Sequence, residues 1–268
     1  EVWMADGEII DPETYVLPSF DPCTGGSVEI SLTVIDHCDQ EESCSSMFIV
    51  MPDDAAPTGD APDGEVDHNG CFVDAENELP FDADTVALNY SDNCDDDVTV
   101  NLTDTSVTGT DCSWTLVYTY EVVDDCGNAL EGETITHTGS DQDAPTGEAP
   151  DGEVNHNGCM ADATTELPFD ADAVALNYTD DCNNVTVNLT DTSVTGTDCS
   201  WTLVYTYEVV DDCGNALEGE TLTHTGSDQD APTGDAPDGE VNHNGCMADA
   251  TTELPFDADA VALNYTDD

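Results

Sequence analysis

Clusters of carboxylates are the strongest chemical feature of this sequence. They recur at intervals along the chain: Asp92 to Asp97, Asp124-Asp125, Asp141 with Asp143, Asp180-Asp181, Asp211-Asp212, and Asp228 with Asp230. Hard oxygen ligands from several loops, about six to eight in number, are what Ca²⁺ takes. Divalent-cation binding is therefore the chemistry that these residues predict. The alternative is a solvated, mutually repelling surface that keeps the chain soluble.

The chain contains 62 Asp and Glu residues and neither Lys nor Arg, which gives a formal net charge of -62. Without a basic patch we expect no nucleic-acid partner. No apolar run approaches the ~20 residues of a membrane span, so we expect no membrane insertion. Paired carboxylates occur in glycosidases. Here every near-identical copy would have to be an active enzyme, so we predict a non-enzymatic protein.

Twelve cysteines are spaced along the chain without a metal-type CxxC pair. Recurring cysteines in a repetitive acidic chain are typical of a secreted disulfide framework. The expected location is therefore extracellular, at the cell surface.

Internal repetition organises the sequence. Cys71, Cys94, Cys112 and Cys126 return as Cys159, Cys182, Cys199 and Cys213, with a step of 88 and then 87 residues. We predict that 1–56 is the C-terminal part of a diverged repeat, 57–143 and 144–230 are full repeats, and 231–268 is the N-terminal part of a further repeat. We also expect the chain to be a portion of a longer polypeptide.

The apolar pattern within a repeat has period two. It predicts strands at Trp114–Val123, Leu130–His137, Val98–Thr103 and Thr85–Tyr90, with a tight turn at Asp125–Asn128. No segment shows a convincing helical period. The predicted fold is all-β: tandem immunoglobulin-like β-sandwich repeats of about 87 to 88 residues in a linear array.

The sandwich topology suggests disulfide pairs. The B–C and F–G loops lie at one end of such a fold, which favours Cys94–Cys126, and the opposite end would join Cys71 to Cys112. The second repeat would have Cys182–Cys213 and Cys159–Cys199. Four cysteines allow three pairings, and the sequence alone does not select one.

The same topology suggests a Ca²⁺ site, because the linker between repeats enters the next sandwich beside two of its loops. The predicted ligands come from the linker, the B–C loop and the F–G loop: Asp141, Asp143, Asp180, Asp181, Asp211, Asp212 and Asn215.

Three segments carry a family resemblance: "NYSDNC" at 89–94, "YTYEVVDDCGN" at 118–128 and "DQDAPTG" at 141–147. They resemble the Cys-containing HYR- or immunoglobulin-like tandem repeats of giant surface adhesins and appendage filaments of Bacteroidetes, which the type IX system secretes. The resemblance implies a role in adhesion, gliding or filament formation.

We therefore expect a structural repeat segment of a very large secreted adhesin or extracellular filament, which acts as a rod stiffened by disulfides and Ca²⁺. The alternative is a multivalent module that binds a glycan or a cell surface. The expected partners are neighbouring repeats of the same chain, identical chains in a fibre, and an unknown surface or glycan ligand.

Overall fold

In the computed structural model, the described part of the chain comprises residues 1–94, 97–239 and 250–266. Asp95, Asp96 and parts of the predicted segment 231–268 lie outside these residues. The chain divides into two compact units, Glu1–Gln142 and Asp143–Asp268.

The first unit begins with a four-stranded antiparallel sheet. Its strands are β1 (Val2–Ala5), β2 (Glu8–Ile10), β3 (Gly26–Ile35) and β4 (Glu41–Val50), in the order β2-β1-β3-β4. Strands β3 and β4 are ten residues each and pair along their whole length. This sheet is the segment that the sequence predicts to be part of a diverged repeat.

The first complete repeat follows. Its elements are β5 (Thr58–Gly59), β6 (His68–Asn69), a 3₁₀ turn (Phe72–Asp74), α1 (Ala75–Glu78), α2 (Ala83–Ala87), β7 (Tyr90–Ser91), β8 (Thr99–Thr110), β9 (Ser113–Val123) and β10 (Ala129–Ser140). The main sheet has the order β6-β10-β9-β8, and β5 pairs with β7 in a separate ladder. Strands β8, β9 and β10 are antiparallel neighbours, whereas β6 joins β10 in parallel.

The core lies between this sheet and the helical layer. Alternate residues of β9 are buried: Trp114, Leu116, Tyr118, Tyr120 and Val122. They pack against Ala75, Phe81 and Val86 of the helical segment. The Trp114 indole donates a hydrogen bond to the Gly70 carbonyl at 2.8 Å, and the Tyr118 hydroxyl donates one to the Leu79 carbonyl at 2.8 Å. The buried aromatic residues thus fasten the helical layer to the sheet.

The second unit repeats this arrangement. Its elements are β11 (Thr146–Gly147), β12 (His156–Asn157), a 3₁₀ turn (Met160–Asp162), α3 (Ala163–Glu166), α4 (Ala171–Ala175), β13 (Tyr178–Thr179), β14 (Val185–Thr197), β15 (Ser200–Asp211) and β16 (Ala216–Ser227). The sheet order is β12-β16-β15-β14. The chain continues with β17 (Thr233–Gly234), α5 (Ala250–Glu253), α6 (Ala258–Ala262) and β18 (Tyr265–Thr266).

The all-β prediction with immunoglobulin-like sandwich repeats is confirmed. The strand predicted at Thr85–Tyr90 is wrong, because its first half belongs to α2 and only Tyr90 lies in a strand, β7. The carboxylate of Asp82 accepts hydrogen bonds from the Thr85 amide at 3.2 Å and the Thr85 hydroxyl at 2.7 Å. This N-cap begins a helix of only five residues. The second layer of the sandwich is therefore made of short helices and a two-stranded ladder.

Candidate cation site at the linker

A disulfide joins Cys23 to Cys126, 103 residues apart in sequence, with 5.0 Å between their Cα atoms. Cys23 precedes β3 of the N-terminal sheet, and Cys126 lies in the turn between β9 and β10 of the first complete repeat. The bond therefore connects the N-terminal sheet to the first complete repeat across the linker, which is the segment 51–57 between β4 and β5. The predicted pair Cys94–Cys126 is wrong, since Cys94 is a free thiol.

The other predicted pairs have different outcomes. Cys71, Cys112, Cys182 and Cys213 are all disulfide-bonded, which makes three disulfides among the described residues. The pairs Cys71–Cys112 and Cys182–Cys213 stay predictions. No disulfide joins Cys159 to Cys199. Their neighbours are held together by a hydrogen bond instead, from the Met160 amide to the Asp198 carboxylate at 3.0 Å.

Asp53 lies on the linker beside this disulfide. Only 9% of the residue is exposed. Its amide donates a hydrogen bond to the Pro22 carbonyl at 2.8 Å, and its carbonyl accepts one from the Asn128 side chain at 3.3 Å. Asp53 Oδ1 accepts from the Ala55 amide at 3.3 Å and from the Asn93 side chain at 3.4 Å. Asp53 Oδ2 is buried and has no hydrogen-bond partner.

Asp92 approaches the same point from the loop after β7. Its Oδ1 accepts a hydrogen bond from the Cys94 amide at 2.9 Å, whereas its Oδ2 is buried and without a partner. Asp53, Asp92 and Cys94 each offer a ligand atom, and these three atoms lie within 4.8 Å of one another. Burial and the neighbouring carboxylate of Asp53 raise the pKa of the Cys94 thiol.

The β9–β10 turn forms the third side of this site. The two carboxylate oxygens of Asp124 accept from the amide of Asn128 at 2.8 Å and from its side chain at 2.7 Å. Burial acts to raise the pKa of Asp124, but the hydrogen bonds from Asn128 outweigh it and lower the pKa below its ordinary value. Asp124 is therefore ionised at neutral pH and holds Asn128 against the linker.

The arrangement is suited to a cation. The carboxylates of Asp53 and Asp92 lie close together, each has one buried oxygen without a hydrogen-bond partner, and the chain has no Lys or Arg to neutralise them. A buried charge that is left unpaired is costly. A divalent cation would pair both oxygens, while carbonyl groups and water complete its coordination.

The predicted Ca²⁺ ligands are distributed over both units. In the second unit Asp143, Asp180 and Asp181 line one cleft of about 190 Å³. Asp211 is buried, and its carboxylate accepts hydrogen bonds from Asn215, whereas Asp212 is exposed. Asp141 belongs to the first unit and is also buried.

Sequence reasoning missed the residues that form the site in the first unit. Asp53 stands four residues before Pro57, as Asp141 does before Pro145, and Asp92 corresponds to Asp180. Cys23 lies fifteen residues before Cys38, nearly as Cys112 lies fourteen residues before Cys126. These spacings are the signal that identifies all three residues, Asp53, Asp92 and Cys23.

Comparisons with known proteins give distant structural likenesses alone. No family model matches the chain, and no curated protein matches it. Repeats EC1-4 of Drosophila N-cadherin share 12% identity with a TM-score of 0.23, over 87% of this chain and 66% of that one. SGBP-B of the Bacteroides ovatus mixed-linkage glucan utilization locus, in complex with a mixed-linkage heptasaccharide, shares 12% identity with a TM-score of 0.15, over 85% and 60%. The chain spans less than two thirds of either structure.

Disulfides indicate a compartment outside the reducing cytosol. Three of them form in the part of the chain that the structure describes, and structural disulfides are rare in cytosolic proteins. None of the helices in the described ranges has the length and apolar character needed to cross a membrane.

Proposed function

We propose that this chain is a non-enzymatic structural segment of a large secreted adhesin or extracellular filament at the cell surface, in which disulfides and Ca²⁺ stiffen the joints between repeats. The observation that carries the proposal is the Cys23–Cys126 disulfide, which bridges the linker next to the unpartnered oxygens of Asp53 and Asp92. A rod needs both the disulfide and the bound cation, because bending at the linker would otherwise separate the N-terminal sheet from the first complete repeat.

The disulfide limits how far the joint can open. Because the loop that it closes spans 103 residues, a chain-entropy treatment gives it about 4 to 5 kcal/mol of stabilisation. Tension across this linker would therefore pass through a covalent bond.

Ca²⁺ suits the site better than Mg²⁺ does. The ligands come from a linker and a loop with irregular spacing, and Ca²⁺ accepts variable oxygen geometry whereas Mg²⁺ demands a near-ideal octahedron. Binding would replace the repulsion between Asp53 and Asp92 by attraction to a shared ion. At a Ca²⁺ concentration about 100 times the Kd, one such site contributes about 2.7 kcal/mol to stability.

The aromatic residues favour a rod over a glycan-binding module. Sugar-binding surfaces use exposed aromatic rings, but in the complete repeats Trp114, Tyr120, Trp201 and Tyr207 are all at most 2% exposed. They support the fold and are not available to a ligand.

The experiment compares thermal unfolding and small-angle X-ray scattering of the full chain in EDTA and in excess CaCl₂. We expect Ca²⁺ to raise the melting temperature and to narrow the range of interdomain distances. Asp53→Asn with Asp92→Asn removes the paired carboxylates. In EDTA the melting temperature of this variant should be higher than that of the unsubstituted chain, because the repulsion between the two carboxylates is gone. Ca²⁺ should raise its melting temperature by a smaller amount.

The control is Asp54→Asn with Asp84→Asn, which removes the same charge from two exposed positions. It should respond to Ca²⁺ as the unsubstituted chain does. Melting and scattering that are identical in EDTA and Ca²⁺ would refute the Ca²⁺ joint.

A further inference from the structure

Three consecutive rows on the outer face of each repeat sheet contain a single carboxylate. On β15, the outward residues of these rows are Thr202, Val204 and Thr206, and Ser200 and Glu208 border them at the two ends. With their partners on the two neighbouring strands, the outward residues form the rows Thr195–Thr202–Thr225, Ser193–Val204–Thr223 and Asp191–Thr206–Thr221. One of these nine side chains is charged. We call this set the threonine face.

The first complete repeat has the same face. Its rows are Thr108–Thr115–Thr138, Ser106–Val117–Thr136 and Asp104–Thr119–Thr134. Both copies therefore contain six threonines, one serine, one valine and a single aspartate at one corner. In the second repeat the edge positions Ser193, Thr195 and Thr223 are exposed, as are Ser106, Thr108 and Thr136 in the first. In the first repeat the border at the same end as Glu208 is Glu121, which pairs with Glu131 of β10.

The composition of this face contrasts with the rest of the chain. With 62 carboxylates and no basic side chain, most surfaces of two identical chains would bring like charges together on contact. Screening weakens this repulsion only beyond the Debye length, about 8 Å at physiological ionic strength. The threonine face is a surface on which two copies can approach without opposing rows of carboxylates.

We propose that the threonine face is the surface through which identical chains associate side by side, with a second copy of this chain as its partner. Each hydroxyl is both a donor and an acceptor, so two such faces are chemically self-complementary. Two-fold docking would place the Asp191 corner of one face opposite the Thr195 row of the other and keep the two carboxylates apart. The inference rests on the proposed function, because lateral association concerns chains that act as rods.

The size of the face sets the strength of a single contact. With strands about 4.8 Å apart and same-face residues about 6.7 Å apart, nine side chains cover far less than the ~800 Å² per partner of a stable interface. One pair of faces therefore binds weakly. Tandem repeats multiply the contact, since linked sites raise the effective concentration of the next one.

The test is sedimentation velocity of the full chain in EDTA, over a range of protein concentrations, in low salt and in about 1 M NaCl, where the Debye length falls to about 3 Å. We expect association that grows with salt and with protein concentration. Thr136→Asp with Thr223→Asp adds one charge to the middle row of each threonine face and should abolish the association. Thr164→Asp with Thr165→Asp adds the same two charges at exposed positions of α3 and should leave it unchanged.

A chain that is monomeric under all these conditions would overturn the proposal. Association that is equal in the two aspartate variants would overturn it as well. Since EDTA is present throughout, a failure of the Ca²⁺ joint does not affect this measurement. Conversely, a missing Ca²⁺ response in melting and scattering does not contradict association through the threonine face.

Discussion

The hydroxyl oxygens of Tyr90 and Tyr120 lie 2.8 Å apart in the core of the first repeat. Tyr90 also donates a hydrogen bond to Glu133 at 3.1 Å, so the Tyr120 hydroxyl must donate to the oxygen of Tyr90. Burial is the largest cause that raises the pKa of Tyr90, and both tyrosines stay protonated. The small β5–β7 ladder is thereby tied to the main sheet through a chain of two hydroxyls and one carboxylate.

The two tyrosines should respond differently to removal of the hydroxyl. Tyr90→Phe leaves the Tyr120 hydroxyl without an acceptor in a residue that is 0% exposed, and we expect a loss of about 1 to 3 kcal/mol. Tyr120→Phe leaves Tyr90 bonded to Glu133, so the loss should be about 1 kcal/mol. Urea unfolding of both variants provides the comparison. Equal losses would show that the hydroxyls do not form this chain.

The parts of the fold that could be predicted are those with a long regular pattern. Strand β9 was predicted because its apolar residues alternate over ten positions, as in Trp114–Val123. Helix α2 could not be predicted because its five residues span less than two helical turns, so no period recurs, and its one signal is the cap residue Asp82. Tertiary packing decides whether such short helices form, because their intrinsic stability is negligible.

The candidate site likewise has features that could be predicted from the sequence and features that could not. Clusters of linker and loop carboxylates could be recognised in the sequence, since they recur at fixed distances from Pro57 and Pro145, whereas the cation itself stays a prediction. The partner of Cys126 could not, because it depends on how the loop before β3 reaches the β9–β10 turn. Two cysteines that are 103 residues apart carry no pairing signal in their spacing.

A pH dependence follows from His68, the ring of which lies between two carboxylates. Nδ1 is 3.2 Å from Glu65 Oε1 and Nε2 is 3.0 Å from Glu78 Oε2. Burial acts to lower the pKa of His68, but the hydrogen bonds with Glu78 and Glu65 outweigh it and raise the pKa. The second repeat has the same arrangement at His156, the pKa of which is also raised.

The stability that these histidines supply should fall as the solution becomes alkaline. Because the folded pKa is raised, the contribution is complete below the ordinary His pKa of about 6.5 and is lost as pH rises through the folded value. The melting-temperature difference between the unsubstituted chain and His68→Gln with His156→Gln should therefore be larger at pH about 6 than at pH about 8.5. His37→Gln, on an exposed turn, is the control, and a difference that is the same at both pH values would contradict the prediction.

His137 and His224 should act in the opposite direction. Burial lowers the pKa of each, so their contribution is lost as pH falls below about 6.5. His68→Gln with His156→Gln leaves this acid-side trend in place, and the melting temperature of that variant should still decrease on acidification.

The last prediction concerns the stability that the Cys23–Cys126 disulfide contributes. Cys23→Ser opens a loop of about 100 residues and should destabilise the first unit by about 4 to 5 kcal/mol in the chain-entropy treatment. Cys38→Ser replaces an exposed free thiol on the neighbouring β3–β4 turn and should change stability little. The bond itself is checked by non-reducing peptide mapping with a protease that cleaves after Asp or Glu, because the chain has no tryptic site.

The peptide map should show one linked pair that contains Cys23 and Cys126. A linked pair that contains Cys94 and Cys126 would contradict the structure and return the bond to a single repeat. In that case the linker would have no covalent bridge, and Ca²⁺ alone would have to stiffen the joint. The map therefore decides whether tension across the linker passes through a covalent bond or through ionic contacts that salt and chelators can weaken.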